Sequence, residues 1–416
     1  MAQLSSDSFA FGDGLMAVDD AVALIAARIP PVAGTETVDL AAADGRVLAQ
    51  DIVAAVPLPP FDNSAVDGYA VRWSDLATAG PTTLPVAGRV AAGAAAAAAM
   101  AGTAVRIFTG APMPAGTDTV FMQEDVTRTG DSVALPHGLG AGANRRLAGE
   151  DTPAGRTVLA AGRVLAPQDI ALCAAVGLAT LTVRRRLRVA VLSTGDEIVS
   201  PGQPLPPAAL YDSNRFALQA LLGRLGVMVT DLGILPDDRA AVSAALAAAA
   251  SGHDLIVTSG GVSTGEEDHV RAAVEATGAL TFWRLAIKPG RPVAMGVVAG
   301  TPFVGLPGNP VAVFVTFAHV VRPLIAALSG AAPDRPLALP VVADFAYRKK
   351  EGRREYVRVS LARGEDGVVR ASKHPRDGAG VITSLTETDG LVELPEPVTA
   401  VAPGDVVGFL PYAVLR

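Results

Sequence analysis

The chain has 416 residues, half of them hydrophobic and 18% charged, with a net charge of −7. That composition packs a core and that length allows roughly two to four domains, which excludes a disordered chain. Basic residues occur in short clusters such as Arg184-Arg185-Arg186 and Arg348-Lys349-Lys350, without a long basic face, so nucleic acid is not the expected partner.

Residues 1–16 hold Asp7, Asp13 and several glycines but no continuous apolar run, so no signal peptide is expected. Val18 to Ile29 then reads as an amphipathic helix. Residues 53–150 contain short strands among many turn signals (Gly80-Pro81, Pro112, Pro114, Gly130, Gly138) and read as a separate β-rich domain. The tract Ala94 to Ala99 reads as filling in a surface loop, with a short surface helix as the competing reading. Pro167 to Gly177 is a further helix, expected to pack back on Val18 to Ile29 and so form one discontinuous domain interrupted by the β-rich one. It carries the single cysteine, Cys173, whose apolar neighbours point to a small buried hydrophobe; one cysteine also excludes a disulfide within the chain.

From Leu187 to Gly330 strands and helices alternate. Arg188 to Leu192 is a strand; Asp212-Ser213 caps a helix that runs through Leu225 and stops at Gly226; Val227 to Leu232 is the next strand. Arg239 to Ala250 is an alanine-rich helix, Leu255 to Thr258 a strand, and Glu267 to Ala276 a helix stopped by Gly278. Phe282 to Ile287, Val293 to Val298 and Pro302 to Gly305 read as strands, and Val311 to Leu328 as a closing helix. This alternation implies a largely parallel sheet with helices on both faces. The apolar part of the last helix, Val311 to Val321, is interrupted by His319 and falls short of the ~20 residues of a membrane span. A cytoplasmic protein with no membrane partner is therefore expected. After a linker marked by Pro333 and Pro336, the runs Val341-Val342, Tyr356 to Leu361, Gly367 to Ala371, Gly390 to Leu394 and Val406 to Leu410 predict a small β-barrel or sandwich.

Three glycine-containing loops follow strand-like runs in the α/β region: Thr258-Ser259-Gly260-Gly261-Val262-Ser263-Thr264-Gly265, Lys288-Pro289-Gly290-Arg291-Pro292 and Gly305-Leu306-Pro307-Gly308-Asn309-Pro310. Glycines let backbone N–H groups approach an oxyanion, hydroxyls add donors, and Lys288 with Arg291 supplies positive charge. In such sheets ligands bind beyond the carboxyl ends of the strands. Acids cluster at the same ends: Asp196 and Glu197, Asp237 and Asp238, then Glu266, Glu267 and Asp268. Carboxylates around an anion site repel the ligand unless a divalent cation lies between, and Mg²⁺ is the ion that bridges few carboxylates to phosphate oxygens. Each acid also has a local reading: Asp237 or Asp238 can cap the helix at Arg239, and Asp268 sits in a first helical turn where a negative charge suits the macrodipole.

Two polar-dense segments lie earlier, Pro59 to Ala70 and Asn144 to Asp151; in the latter an Arg145–Glu150 pair holding a hinge is a sufficient structural reading. The five histidines lack metal-ligand spacing, and no nucleophile elbow occurs.

Seven ordered motifs resemble the MoeA family of molybdopterin molybdenumtransferases, related to the gephyrin E domain: Asp62-Asn63-Ser64-Ala65-Val66-Asp67-Gly68-Tyr69-Ala70, Thr109-Gly110-Ala111-Pro112-Met113-Pro114, Gly149-Glu150-Asp151, Ser193-Thr194-Gly195-Asp196-Glu197, Ser259-Gly260-Gly261-Val262-Ser263, Lys288-Pro289-Gly290 and Gly305-Leu306-Pro307-Gly308-Asn309-Pro310. The resemblance runs from about Leu15 to Pro411. It implies a multidomain α/β architecture: a discontinuous helical linker domain (15–52 and 152–186), a β-rich domain (53–151), an α/β molybdopterin-binding domain (187–332) and a C-terminal β-barrel (333–416).

The implied reaction inserts molybdate into the dithiolene of adenylylated molybdopterin, with Mg²⁺-dependent release of AMP. The preceding adenylylation, or a non-catalytic gephyrin-like scaffold, are the alternatives. The resemblance assigns chemistry to Asp62, Arg146, Asp151, Glu197, Asp237, Asp268 and Lys288, with Glu197, Asp237 and Asp268 as the Mg²⁺ ligands. It assigns ligand binding to Ser193, Thr194, Gly195, Ser259, Gly260, Gly261, Ser263, Gly265, Pro289, Gly290, Arg291, Pro307, Gly308, Asn309, Pro310 and Arg353. It further implies a homodimer whose β-rich domain brings Asp62, Arg146 and Asp151 to the partner's crevice, and hand-over involving a molybdopterin adenylyltransferase or molybdoenzyme chaperones. This chain has Arg284 and Arg291 where the family often has lysine, an exchange that keeps the charge but changes its shape.

Overall fold

The computed structural model describes residues 4–10, 14–260 and 269–415. Its centre is a seven-stranded sheet. The elements around it are β1 (Leu15–Met16), α1 (Val18–Arg28), α2 (Pro167–Ala175), β2 (Arg188–Thr194), α3 (Asn214–Arg224), β3 (Met228–Leu235), α4 (Arg239–Gly252), β4 (Leu255–Ser259), α5 (His269–Thr277), β5 (Gly278–Leu285), β6 (Ile287–Lys288), β7 (Pro292–Val298), β8 (Thr301–Leu306) and the helix α6 (Pro310–Ser329). The order is β1-β5-β7-β8-β4-β2-β3, and β6 lies outside this sheet. β3, β2, β4 and β8 are mutually parallel, while β7 runs antiparallel to both β8 and β5. The two-residue turn at Ala299-Gly300 explains the exception, because a parallel neighbour requires a crossover of a dozen or more residues.

Helices cover both faces. On one, Val18, Ala21 and Ile25 of α1, Leu218 and Leu222 of α3, and Leu324 and Leu328 of α6 join Val189, Val191, Val257 and Trp283 of the sheet. On the other, Val242 and Leu246 of α4 and Val270, Ala273 and Val274 of α5 close over Ala190, Leu192, Ile256 and Phe303. β4 and β8 are buried along their whole length, as strands covered on both faces must be.

Two helix expectations need correction. α1 lies against α6 in the main core, whereas α2, with Cys173, packs in a separate cluster with Leu48, Leu181 and Val183. The spacing of Val18, Ala21 and Ile25 makes one apolar stripe, and α6 takes it. The stretches before and after the β-rich region still meet, through the strand pairs Thr35–Asp39 with Thr180–Arg184 and Ile52–Val53 with Thr157–Leu159. The second concerns only the apolar length of the last helix: the helix runs over Pro310–Ser329, as expected for Val311 to Leu328, but its apolar stretch continues past His319 through a π-helical turn at Phe317–Val321 and reaches the length of a membrane span, with 67% of its most apolar window buried. Its hydrophobicity is that of a helix enclosed by the core.

The β-rich region carries a six-stranded sheet containing Gly68–Val71, Ala104–Ile107 and Thr119–Met122, and Ala94 to Ala99 is irregular, as in the loop reading. At the other end β9 (Leu339–Ala343), β10 (Arg354–Arg363), β11 (Val369–Lys373), β12 (Gly390–Leu394) and β13 (Val406–Pro411) close into a five-stranded barrel, β10 pairing with both β11 and β12. β6 adds to the edge of β10, with Ile287 opposite Arg354 and Lys288 opposite Glu355. Tyr356, Leu391 and Leu410 of the barrel enter the main core.

Candidate active site

Register brings the loops to one edge of the sheet. Ser193 lies opposite Ser259, Ser259 opposite Leu306, Thr194 opposite Leu235, and Arg284 opposite Pro292. Because β7 is reversed, its N-terminal loop, 288–292, emerges at the same edge as the carboxyl ends of β2, β3, β4 and β8. The side chains of Ser193, Thr194 and Thr258 are buried there, and their hydroxyls have no hydrogen-bond partner among the described residues. An unsatisfied buried hydroxyl costs about 1–3 kcal/mol, so a polar group brought to this edge can regain that energy.

Asn214, the first residue of α3, is a member of the edge that sequence reasoning missed. Its Nδ2 donates to Ser259 Oγ at 2.8 Å and to the Gly308 carbonyl at 2.7 Å, tying two of the glycine loops together. The preceding cap is Asp212, whose Oδ1 accepts from Arg215 N at 3.1 Å; the Ser213 side chain makes no cap.

The acids divide by role. Asp238 caps α4, accepting from Ala241 N at 2.8 Å, so the capping reading holds for this residue. Asp237 N reaches Asp196 Oδ1 at 3.4 Å, which draws the two strand-end loops together. The Glu197 carboxylate folds over Gly195, where a Cβ would lie 2.6 Å from Glu197 Oε2; φ is +132°, a backbone conformation that favours glycine. Neither the Glu197 nor the Asp237 carboxylate is engaged by an ion pair or hydrogen bond among the described residues, leaving hard oxygen donors of the kind Mg²⁺ takes. Gly261, Ser263, Gly265 and Asp268, with Glu266 and Glu267, lie outside the described residues.

Beside this edge, the 288–292 loop and the barrel enclose a cleft of about 280 Å³. Lys288, Pro289, Gly290, Arg291, Pro307 and Asn309 line it from the α/β side, and Tyr347, Arg358, Lys373, His374, Arg376 and Asp377 from the barrel. Ala312 joins the first set from α6, and Val311 N donates to the Ala379 carbonyl at 3.0 Å, so a barrel loop seats on the start of that helix. Gly290 has φ +102°, and a Cβ there would lie 2.5 Å from Thr316 Cγ2. The loop therefore packs directly on α6. Pro310 is the first residue of that helix, a position that suits its missing N–H.

The cleft is cationic, with Asp377 the one acid among its described lining residues. Arg358 is 6% exposed; its Nε donates to Ser384 Oγ at 3.0 Å and its Nη2 to the carbonyls of Arg376 and Gly378, with no carboxylate partner among the described residues. Burial pushes this guanidinium below the ordinary arginine value. Asp377, itself paired with Lys373, opposes this only through its charge; a buried cation with no direct carboxylate partner is costly, and an anion in the cleft supplies a nearer counter-ion. Burial also presses the Lys288 ammonium down, but its hydrogen bonds to Tyr347 and Glu355 outweigh this and hold it above the ordinary lysine value. Arg353 points its Nε at Glu355, 2.7 Å away, and does not line the cleft; Arg358 and Arg376 do. Arg358 and Tyr347 were not singled out from the sequence, since nothing in a short strand marks which polar residue faces inward.

Asp62, Arg146 and Asp151 sit together on the β-rich region and none lines the cleft. Asp62 accepts from Ala148 N at 2.8 Å and pairs with Arg145; the backbone N–H and the guanidinium hold its carboxyl below the usual range. Arg145 thus pairs with Asp62 and not with Glu150, which accepts from Leu147 N at 2.9 Å. Arg146 and Asp151 are exposed.

A sheet with donor-lined loops at one edge, closed on one side by a barrel that completes a cationic cleft, defines a multidomain α/β protein that binds an anionic small molecule. Family comparison makes this specific. Residues 16–177 match the MoeA N-terminal region (domain I and II), 190–327 a probable molybdopterin binding domain, and 340–412 the MoeA C-terminal region (domain IV). The chain is 39% identical over 404 residues to molybdopterin molybdenumtransferase of Haemophilus influenzae, covering 96% of this chain and 99% of that one. It is 40% identical over 383 residues to molybdopterin molybdenumtransferase 2 of Mycobacterium tuberculosis strain H37Rv, covering 88% and 93%. The crystal structure of the molybdopterin biosynthesis MoeA protein from Pyrococcus horikoshii OT3 superposes with a TM-score of 0.82 at 30% identity, over 96% of this chain and 100% of that one. The chain belongs to the MoeA family.

Proposed function

We propose that this chain is an enzyme of molybdenum cofactor biosynthesis that inserts molybdenum, supplied as molybdate, into adenylylated molybdopterin and releases AMP. The observation that carries the reading is Arg358, a buried guanidinium without a carboxylate partner among the described residues, facing a cleft shared with Lys288, Arg291 and Arg376. A tetrahedral dianion matches that set, since charge-assisted hydrogen bonds from Arg and Lys are the strong ones. The unsatisfied hydroxyls of Ser193, Thr194 and Thr258 support an adjacent seat for the pterin nucleotide, with Ser259, Gly260, Gly308 and Asn309 around it.

Glu197, Asp237 and Asp268 would hold Mg²⁺, which would neutralise phosphate charge during loss of AMP. Lys288, Arg291 and Arg358 orient the oxyanion beside the pterin seat, and the barrel excludes water from one side. The working unit is a cytoplasmic homodimer in which Asp62, Arg146 and Asp151 serve the partner's crevice, and its product passes to an adenylyltransferase or chaperone partner. Its domains follow the division 15–52 with 152–186, 53–151, 187–332 and 333–416, except that β1 and α1 join the core of the third.

Incubating the purified protein with adenylylated molybdopterin, Mg²⁺ and molybdate tests the reading, with AMP release that requires molybdate as the expected result. Activity only with ATP and free molybdopterin assigns the preceding adenylylation instead. Pterin binding without turnover under any metal supply assigns a scaffold.

A further inference from the structure

Behind the cleft wall lies a carboxylate that does not line it. Glu355 is 1% exposed, and both of its oxygens are engaged. Oε1 accepts from Arg353 Nε at 2.7 Å; Oε2 accepts from Tyr347 Oη at 2.8 Å and from Lys288 Nζ at 3.1 Å. Lys288 Nζ also donates to Tyr347 Oη at 3.1 Å. The backbone fixes the same pair, because Lys288 stands directly opposite Glu355 where β6 joins the barrel.

We propose that Glu355 is a positioning residue for oxyanion capture: with Tyr347 it clamps the Lys288 ammonium so that one of its three N–H donors is left aimed at the cleft. Two of the three are taken by Tyr347 and Glu355, and Lys288 itself lines the cleft, so the third is the one available there. The clamp matters because the Lys288 side chain is 46% exposed and four rotatable bonds long; unheld, it loses much rotamer freedom each time it engages a ligand. Glu355 does not cancel the attraction it organises. One carboxylate is shared between Lys288 and Arg353, so the trio keeps a net charge of +1 next to the cleft. The same carboxylate keeps Lys288 protonated by opposing the cost of its burial.

The molybdate part of this inference rests on the insertion reading above, so the test has two arms. In the first, trace acetylation of Lys288 in the full-length protein at pH 7.5 is followed by peptide mass spectrometry. Glu355→Gln is expected to acetylate at least fivefold faster than wild type, and Tyr347→Phe two- to threefold faster. In the second, molybdate-dependent AMP release is titrated with molybdate. Glu355→Gln is expected to raise the half-saturating concentration at least fivefold with less than a threefold change in maximal rate, and to add less than twofold to the effect of Lys288→Ala.

Unchanged acetylation in both variants overturns the clamp. An unchanged or lowered half-saturation in a folded variant, or an effect fully additive with Lys288→Ala, overturns the positioning role. Should Glu355→Gln fail to fold, Tyr347→Phe decides by the same two readouts. A wild-type protein with no molybdate response defeats the insertion reading alone, and the acetylation arm still decides the clamp.

Discussion

His319 makes stability depend on pH in a way that can be isolated. It lies in the π-helical turn of α6 and stacks on Tyr356 with ring centroids 4.4 Å apart. The residue is only part-buried, yet its Nε2 is enclosed and has no hydrogen-bond partner among the described residues. Burial, reinforced by Arg354, Arg322 and Arg335 and opposed by Asp19, pushes its pKa down to about 3. In the unfolded chain the imidazole titrates near 6.5. As pH falls below that value the unfolded state takes up a proton that the native state refuses, so stability is lost between about 6.5 and 3 and is flat on either side. At pH 5 the loss is 1.5 units at 1.36 kcal/mol each, or at most about 2 kcal/mol. His319→Phe keeps a ring against Tyr356 and removes the titration. The assay is thermal unfolding at pH 7.5 and 5.0, followed by the fluorescence of buried Trp283 in a Trp73→Phe background that silences the only other tryptophan. Carboxylates such as Asp19, Asp254 and Glu355 lose stability alike in both proteins and cancel. The drop in Tm between the two pH values is expected to be smaller in His319→Phe by about 4–8 °C. Equal drops would refute a neutral, proton-refusing His319.

Gly290→Ala should destabilise by about 2 kcal/mol or more, because the new Cβ meets Thr316, which hydrogen bonds to Ala312 and Val313 hold in place. Gly308→Ala, with nothing within 4 Å, should stay within about 0.5 kcal/mol by the same thermal melt. For the shared site, mixing inactive Asp62→Ala with inactive Asp237→Ala should restore part of the molybdate-dependent AMP release, and demonstrated subunit exchange without recovery refutes it.

The α/β core was legible because buried strands read as continuous apolar runs, as in Val189 to Leu192 and Leu255 to Val257. The glycine loops were legible because their residues have few other uses. The reversed β7 was not recognised although the short Ala299-Gly300 connection signals it. Other features depend on contacts between distant segments that leave no local pattern: the apolar stripe of α1 does not say which helix receives it, and Asp62 lies 83 positions from Arg145. Glu355 and Arg358 sit in a strand whose first six residues are all buried, so only their tertiary partners, Lys288 for one and the cleft for the other, distinguish them. The span of α6 was legible to within a residue at each end, but its apolar length was underestimated because His319 interrupts the run, whereas the backbone carries it through a π turn.

The junction at β6 bears on how the chain can be taken apart. Its prolines suggest a detachable C-terminal module, but Arg354 N donates to the Ala286 carbonyl at 2.7 Å, Ile287 and Lys288 are paired into the barrel, and Tyr356 and Leu391 are part of the main core. Cutting at the linker would strip a cation-bearing strand of its neighbour and open the central core to water. The boundary drawn by composition is not a mechanical boundary: the barrel, the central sheet and the N-terminal stretch that carries β1 and α1 share one core, so a cut at the linker divides a single packed unit.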